Sequence, residues 1–102
     1  MNKLYLVSQS INNGYDTYDS MVVAAESEQD ARLIHPSEFC THIADGKWVG
    51  ERLLPHPRTG YEYYPMGGDD WITPQQIGKL TVQYLGETEH GRGVVCSSFN
   101  AG

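Results

Sequence analysis

The sequence has no long hydrophobic run. Its longest uninterrupted apolar stretches, such as Met21 to Ala25, span five residues, far short of the roughly 20 that a membrane-crossing helix needs. Basic residues are scarce: seven Lys and Arg stand against thirteen Asp and Glu, for a formal net charge of −6. That balance disfavours direct DNA or RNA binding, which relies on clustered Lys and Arg to displace counterions. Cysteine is nearly absent. Cys40 and Cys96 are too few and too far apart for a secreted disulfide scaffold, and two buried thiols in a reducing compartment are the plainer expectation. No charged-then-apolar leader opens the chain, which leads to the expectation of a cytoplasmic protein. The G-x-S-x-G elbow of hydrolases is missing. Gly67-Gly68-Asp69-Asp70 is glycine-rich but lacks the Lys-Ser/Thr of a phosphate loop.

What remains is 102 residues, 39% apolar, enough for one domain spanning 1–102. Lys3 to Gln9 and Tyr18 to Ala25 are rich in strand formers, and Asn13-Gly14 between them signals a two-residue type I′ turn. Such a turn pairs positions summing to 27, so that Leu4 faces Val23 and Leu6 faces Met21. Both faces are then apolar at the open end, which suits a central strand pair covered on two sides. A helix of two to three turns follows, with Ser27 as N-cap, Asp30 in capping-box position and a stop before Pro36. Residues 36–70 are punctuated by Pro and Gly and read as an irregular insert, with short extended pieces at Lys47-Trp48-Val49 and Tyr61 to Tyr64. Thr73-Pro74 starts one helical turn. Lys79 to Leu85 alternates with period two, Gly86 to Gly93 is a charged loop, and Val94 to Phe99 is a last strand. The expected fold is α+β: an antiparallel sheet in the order β-β-α-(irregular insert)-β-β with one short helix packed on it.

Three groups of residues carry candidate chemistry. The string from Asn12 to Ser20 concentrates phenols, carboxylates and amides. Asn12, Tyr15, Asp16, Tyr18 and Asp19 could stack on a flat ring and hydrogen-bond its edges, although turns select these residue types for backbone reasons alone. Arg32 and Arg58 are cations able to hold a phosphate. His35 can titrate near neutrality, and Arg32 with His35 equally complements a helix C-terminus. His35, Cys40 and His42, with His56 or Cys96 as a fourth group, have poor spacing for zinc, so neither a metal nor any other cofactor is expected. Trp48, Tyr61, Tyr63, Tyr64 and Trp71 suit an interface, a pocket wall or ordinary core filling. A chain this small with so much irregular backbone gains core by pairing with a copy of itself, so a homo-oligomer is expected.

Tyr15 to Pro36 and the ending Ser97 to Gly102 resemble small accessory proteins encoded by phages and prophages. That resemblance implies a protein of the host-cell cytoplasm that counters a host defence. Joined to the residues above, it leads to the expectation of a non-catalytic binding protein that sequesters a nucleotide-derived signalling molecule. The alternatives are an acidic inhibitor that blocks a host defence protein by direct contact, and a small hydrolase of a nucleotide signal using His35 or His42 with a carboxylate.

Overall fold

Strands β1 (Asn2–Ser8) and β2 (Thr17–Ala25) form the opening hairpin in the computed structural model, which describes residues 1–12, 16–37, 40–50, 53–55, 58–63 and 70–100. The register differs from the expected one by a single residue. Tyr5 stands opposite Val23, Val7 opposite Met21 and Ser8 opposite Ser20, so partners sum to 28. A one-residue slip exchanges the faces of a strand. Here it gathers Tyr5, Val7, Met21 and Val23 on one buried side and leaves Leu4, Leu6 and Val22 on the other. Asn13-Gly14 and Tyr15 lie outside the described residues, but the cause of the shift is visible beside them. Gln9 organises a longer loop: its Nε2 donates to the carbonyls of Asn12 and Tyr18 (2.7 and 2.8 Å), and its Oε1 accepts from the amides of Ile11 and Asn12 (2.8 and 2.7 Å). Asp16 takes a positive φ of 60° where the loop returns to β2, a conformation Asp tolerates better than most residues.

Helix α1 (Glu28–Arg32) is only five residues long, shorter than the two to three turns expected. Ser27 caps it as anticipated, its Oγ accepting from the Asp30 amide at 3.1 Å. The helix ends early because Leu33 and Ile34 bond back to Asp30 and Ala31, a tightened last turn. The region read as an irregular insert contains two short ladders. β3 (His42–Ala44) pairs with β4 (Lys47–Val49), and β5 (Leu54–Pro55) with β6 (Glu62–Tyr63). Asp45 and Gly46, with φ of 51° and 73°, make the turn between β3 and β4. Two positive φ values in a two-residue hairpin loop are the type I′ signature. The positive φ is what favours glycine at 46; a Cβ there would meet only the tip of the exposed Gln75 side chain, at 2.9 Å, which can move aside.

After a 3-10 helix (Pro74–Lys79), strands β7 (Thr81–Thr88) and β8 (Gly93–Asn100) complete a four-stranded antiparallel sheet in the order β7-β1-β2-β8. The architecture is α+β, with β1 and β2 central as expected. One face carries the core, where Val7, Met21 and Val23 meet Ala31 and Ile34 from the helical side, Trp48 from the former insert, and Trp71 and Ile72 just after it. Cover on both faces was expected, and on the second face it is partial: Ala24 is fully buried there, Leu4, Leu6 and Val22 are half-buried, and none of the four belongs to that core cluster.

Candidate functional site

The chain leaving α1 runs beside edge strand β8, and a groove lies between them. Pro36 prevents the helix from continuing. Ile34 and Cys40 turn into the core, and Thr41 ties the segment to β4 through its amide, 2.8 Å from the Val49 carbonyl. Facing it, Arg92, Gly93 and Val94 come from the start of β8. The enclosed space is a cavity of about 300 Å³ lined by Ile34, His35, Ser37, Cys40, Thr41, Arg92, Gly93 and Val94. A second depression of about 410 Å³ adjoins it, shares Ser37 and Val94, and adds Tyr18, Pro36, Val95, Cys96 and Ser97. Tyr18 also stacks at a tilt on Phe99, ring centroids 4.8 Å apart. These volumes fall within the range of small-molecule sites.

Among the described residues lining the first cavity, beside a histidine whose protonation burial disfavours, the charged side chain is that of Arg92. Its Nε donates to both carboxylate oxygens of Asp30 at 2.9 and 3.0 Å. That contact anchors the guanidinium, whose Nη groups make no hydrogen bond among the described residues. His35 is 3% exposed, and its ring stands edge-on to Trp48 with centroids 5.1 Å apart. The Ser37 amide donates to His35 Nδ1 at 2.9 Å. Nδ1 is therefore the acceptor, and the proton of the neutral ring sits on Nε2. Nε2 lies 3.7 Å from Asp70 Oδ1, too long for a hydrogen bond. Burial lowers the His35 pKa, outweighing the attraction of the Asp70 carboxylate. Burial, helped by the same carboxylate, raises the Cys40 pKa. Cys40 therefore remains a thiol near neutrality, the reverse of what an activated nucleophile requires.

A depressed His35 pKa makes stability depend on pH. Below the ordinary imidazole value of 6.5 the unfolded chain takes up a proton that the folded chain resists, so the folded state loses ground. The contribution is whole above that value and declines as pH falls through the lower folded value. Urea unfolding at about pH 7.5 and about pH 5.5 should show a drop in the wild type that is reduced in His35→Asn. Equal slopes in the two proteins would remove His35 as the cause.

The residues singled out in the sequence do not converge on one point. Arg32 is committed elsewhere: its Nη1 donates to the carbonyls of Ile77 and Leu80, both at 2.8 Å, and its Nη2 to Glu28 at 3.0 Å. It staples the end of the 3-10 helix and is not placed as a phosphate holder. Asn12 ties its loop to the Trp71 carbonyl at 3.3 Å. Asp16 and Asp19 are exposed, Asp19 at a bulge where β2 passes β8. Arg58 is exposed in a turn. Tyr15 and His56 lie outside the described residues. His42 is exposed and shares a hydrogen bond with the Thr41 hydroxyl. Of the set, Tyr18 and His35 line the groove. Cys96 is exposed, contrary to the expectation of two buried thiols. No group of three His, Cys, Asp or Glu among the described residues is placed to hold a metal ion. No helix among them is long and apolar enough to cross a membrane.

No family model, curated protein or solved structure matches this chain. The reading of the groove therefore rests on its own chemistry. Sequence reasoning passed over Arg92 because it sits in a charged, glycine-containing loop. The only local signal was its placement between Gly91 and Gly93. It passed over Asp70 because the glycine string before it was weighed only as a phosphate loop.

Proposed function

We propose that this protein is a non-catalytic binding protein that takes a small, elongated, nucleotide-like anion in the groove between β8 and residues 34–37 and 40–41. The observation that carries the reading is the anchored Arg92 guanidinium. It is the cation of a cavity in a chain of net charge −6. A pinned guanidinium with available Nη groups suits bidentate recognition of a phosphate. The Ser37 and Thr41 hydroxyls add polar contacts beside it, and the Tyr18–Phe99 pair offers an aromatic wall for a base.

The state of His35 supports the non-catalytic reading. Its Nδ1 is taken by the Ser37 amide and its proton points toward Asp70. No ring nitrogen is left to accept a proton from a substrate. The resemblance at the two ends of the chain supplies the biological form of the proposal, sequestration of a nucleotide-derived defence signal in a phage-infected cell.

Native mass spectrometry of the protein mixed with an extract of defence-activated cells tests this, followed by heat denaturation. A nucleotide recovered intact is the expected result, and Arg92→Gln should weaken its binding by about ten- to a hundredfold. A chemically altered ligand would transfer the reading to a hydrolase. A retained host protein, released by salt, would favour the direct inhibitor, for which the acidic charge and the exposed Tyr61 and Tyr84 speak.

A further inference from the structure

The sheet face turned away from α1 carries no charged residue in register among the described residues. Leu4 stands opposite Ala24 and Leu6 opposite Val22 across the central pair. Gln83 flanks Leu6 on β7, and Cys96 flanks Val22 on β8. The other described positions of this face on the four strands are hydroxyl, amide or glycine residues, with Leu85 added at the β7 bulge and 47% exposed. Asp19, exposed at the β2–β8 bulge, lies out of register at one end of the sheet; no Asp, Glu, Lys, Arg or His among the described residues shares the face in register, in a chain with seven basic and thirteen acidic residues. A solvated sheet face is ordinarily the polar one. This one has a leucine-valine centre and a neutral polar rim.

We infer that the chain forms a two-fold dimer by packing this uncharged face against the same face of a second copy, with Leu4, Leu6 and Val22 at the centre. Charge selects the occupant. Two copies of net charge −6 repel wherever carboxylates meet, and this is the face on which they can approach without that cost. A basic partner would be drawn to the acidic surface instead. Size agrees. Strands of seven to nine residues, about 3.3 Å per residue and about 4.8 Å apart, cover roughly 500 Å² per copy. The pair then reaches about 1,000 Å², where specific interfaces begin. A flat, twisted sheet meets its own copy readily, about 10 Å away and at about −30°, and an isologous contact closes at two.

Sedimentation at micromolar concentration should give the wild type about twice the chain mass of 11.4 kDa. Leu6→Glu should sediment as a single chain with an unchanged circular dichroism spectrum. Cys96 is the exposed thiol and Cys40 the buried one, so maleimide labelling reads the face directly. Labelling should be slower by roughly an order of magnitude in the wild type than in the variant. Should Leu6→Glu fail to fold, Gln83→Glu on the exposed edge strand should still weaken the dimer and speed Cys96 labelling. A wild type that stays at the single-chain mass overturns the inference. So does a folded Leu6→Glu that remains dimeric.

Discussion

Replacing Trp48 with Ala should lower the free energy of unfolding by about 3–5 kcal/mol, a large part of the total for a domain of this size. Trp48 belongs to β4, in the stretch that looked least structured in the sequence, yet it is 3% exposed and lies within the core cluster. Its indole Nε1 donates to the Ile72 carbonyl at 2.9 Å, and its ring supports His35. One side chain thus joins the β3–β4 hairpin, the 70–72 segment and, through His35, the irregular segment after α1 that lines the groove. Trp48→Phe separates packing from hydrogen bonding. It keeps a ring and orphans the Ile72 carbonyl, so it should cost about 1–3 kcal/mol. Urea titration followed by circular dichroism gives both numbers. Comparable stability in Trp48→Ala and the wild type would mean that this hairpin is not part of the cooperative unit.

Arg32→Met should be the second most damaging exchange, about 2–4 kcal/mol from hydrogen bonds to a charged donor. The methionine retains the apolar stem, which isolates the loss of the guanidinium. Arg32 Nη1 donates to the carbonyl of Leu80, just past the 3-10 helix, and to that of Ile77, which also accepts the Leu80 amide at 3.3 Å. The i,i+4 contact to Glu28 is of lesser weight, because the Glu28 side chain is 57% exposed, and Glu28→Gln should cost under about 0.5 kcal/mol. The decisive comparison is with ligand binding. Arg32→Met should destabilise the fold and leave the affinity of the groove unchanged, while Arg92→Gln should do the opposite. If Arg32→Met abolished binding at full stability, Arg32 would be a ligand contact after all.

These two residues show why the site was only partly legible. Arg32 was marked in the sequence as a phosphate holder or a helix-end charge, and Trp48 as interface, pocket wall or core filling; both are structural. Composition reveals that a guanidinium is present but not where its donors go, and the partners of Arg32 lie 45 and 48 positions away. Tyr18 and His35 were marked and do line the groove. Arg92 and Asp70 were not marked, since each acquires meaning only from its neighbours in space. Asp45-Gly46 is a different case. Its turn signature was local and readable, and it was obscured by the prolines and glycines around it.

What the sequence alone determined is local. The strand runs around Leu4 and Val22, the Ser27 cap, the Pro74 start of the 3-10 helix and the alternation through Val82 follow from sterics and hydrogen bonds within a few residues. The tertiary structure decided the rest: the one-residue register of β1 against β2, and hence which face is buried. It also set the capture of Arg32 by distant carbonyls, the neutral His35 beside Asp70, and the meeting of Arg92 with residues 34–37 and 40–41. Each depends on contacts between segments far apart in the chain. Their energies arise only when burial and charge are settled together by the closed fold.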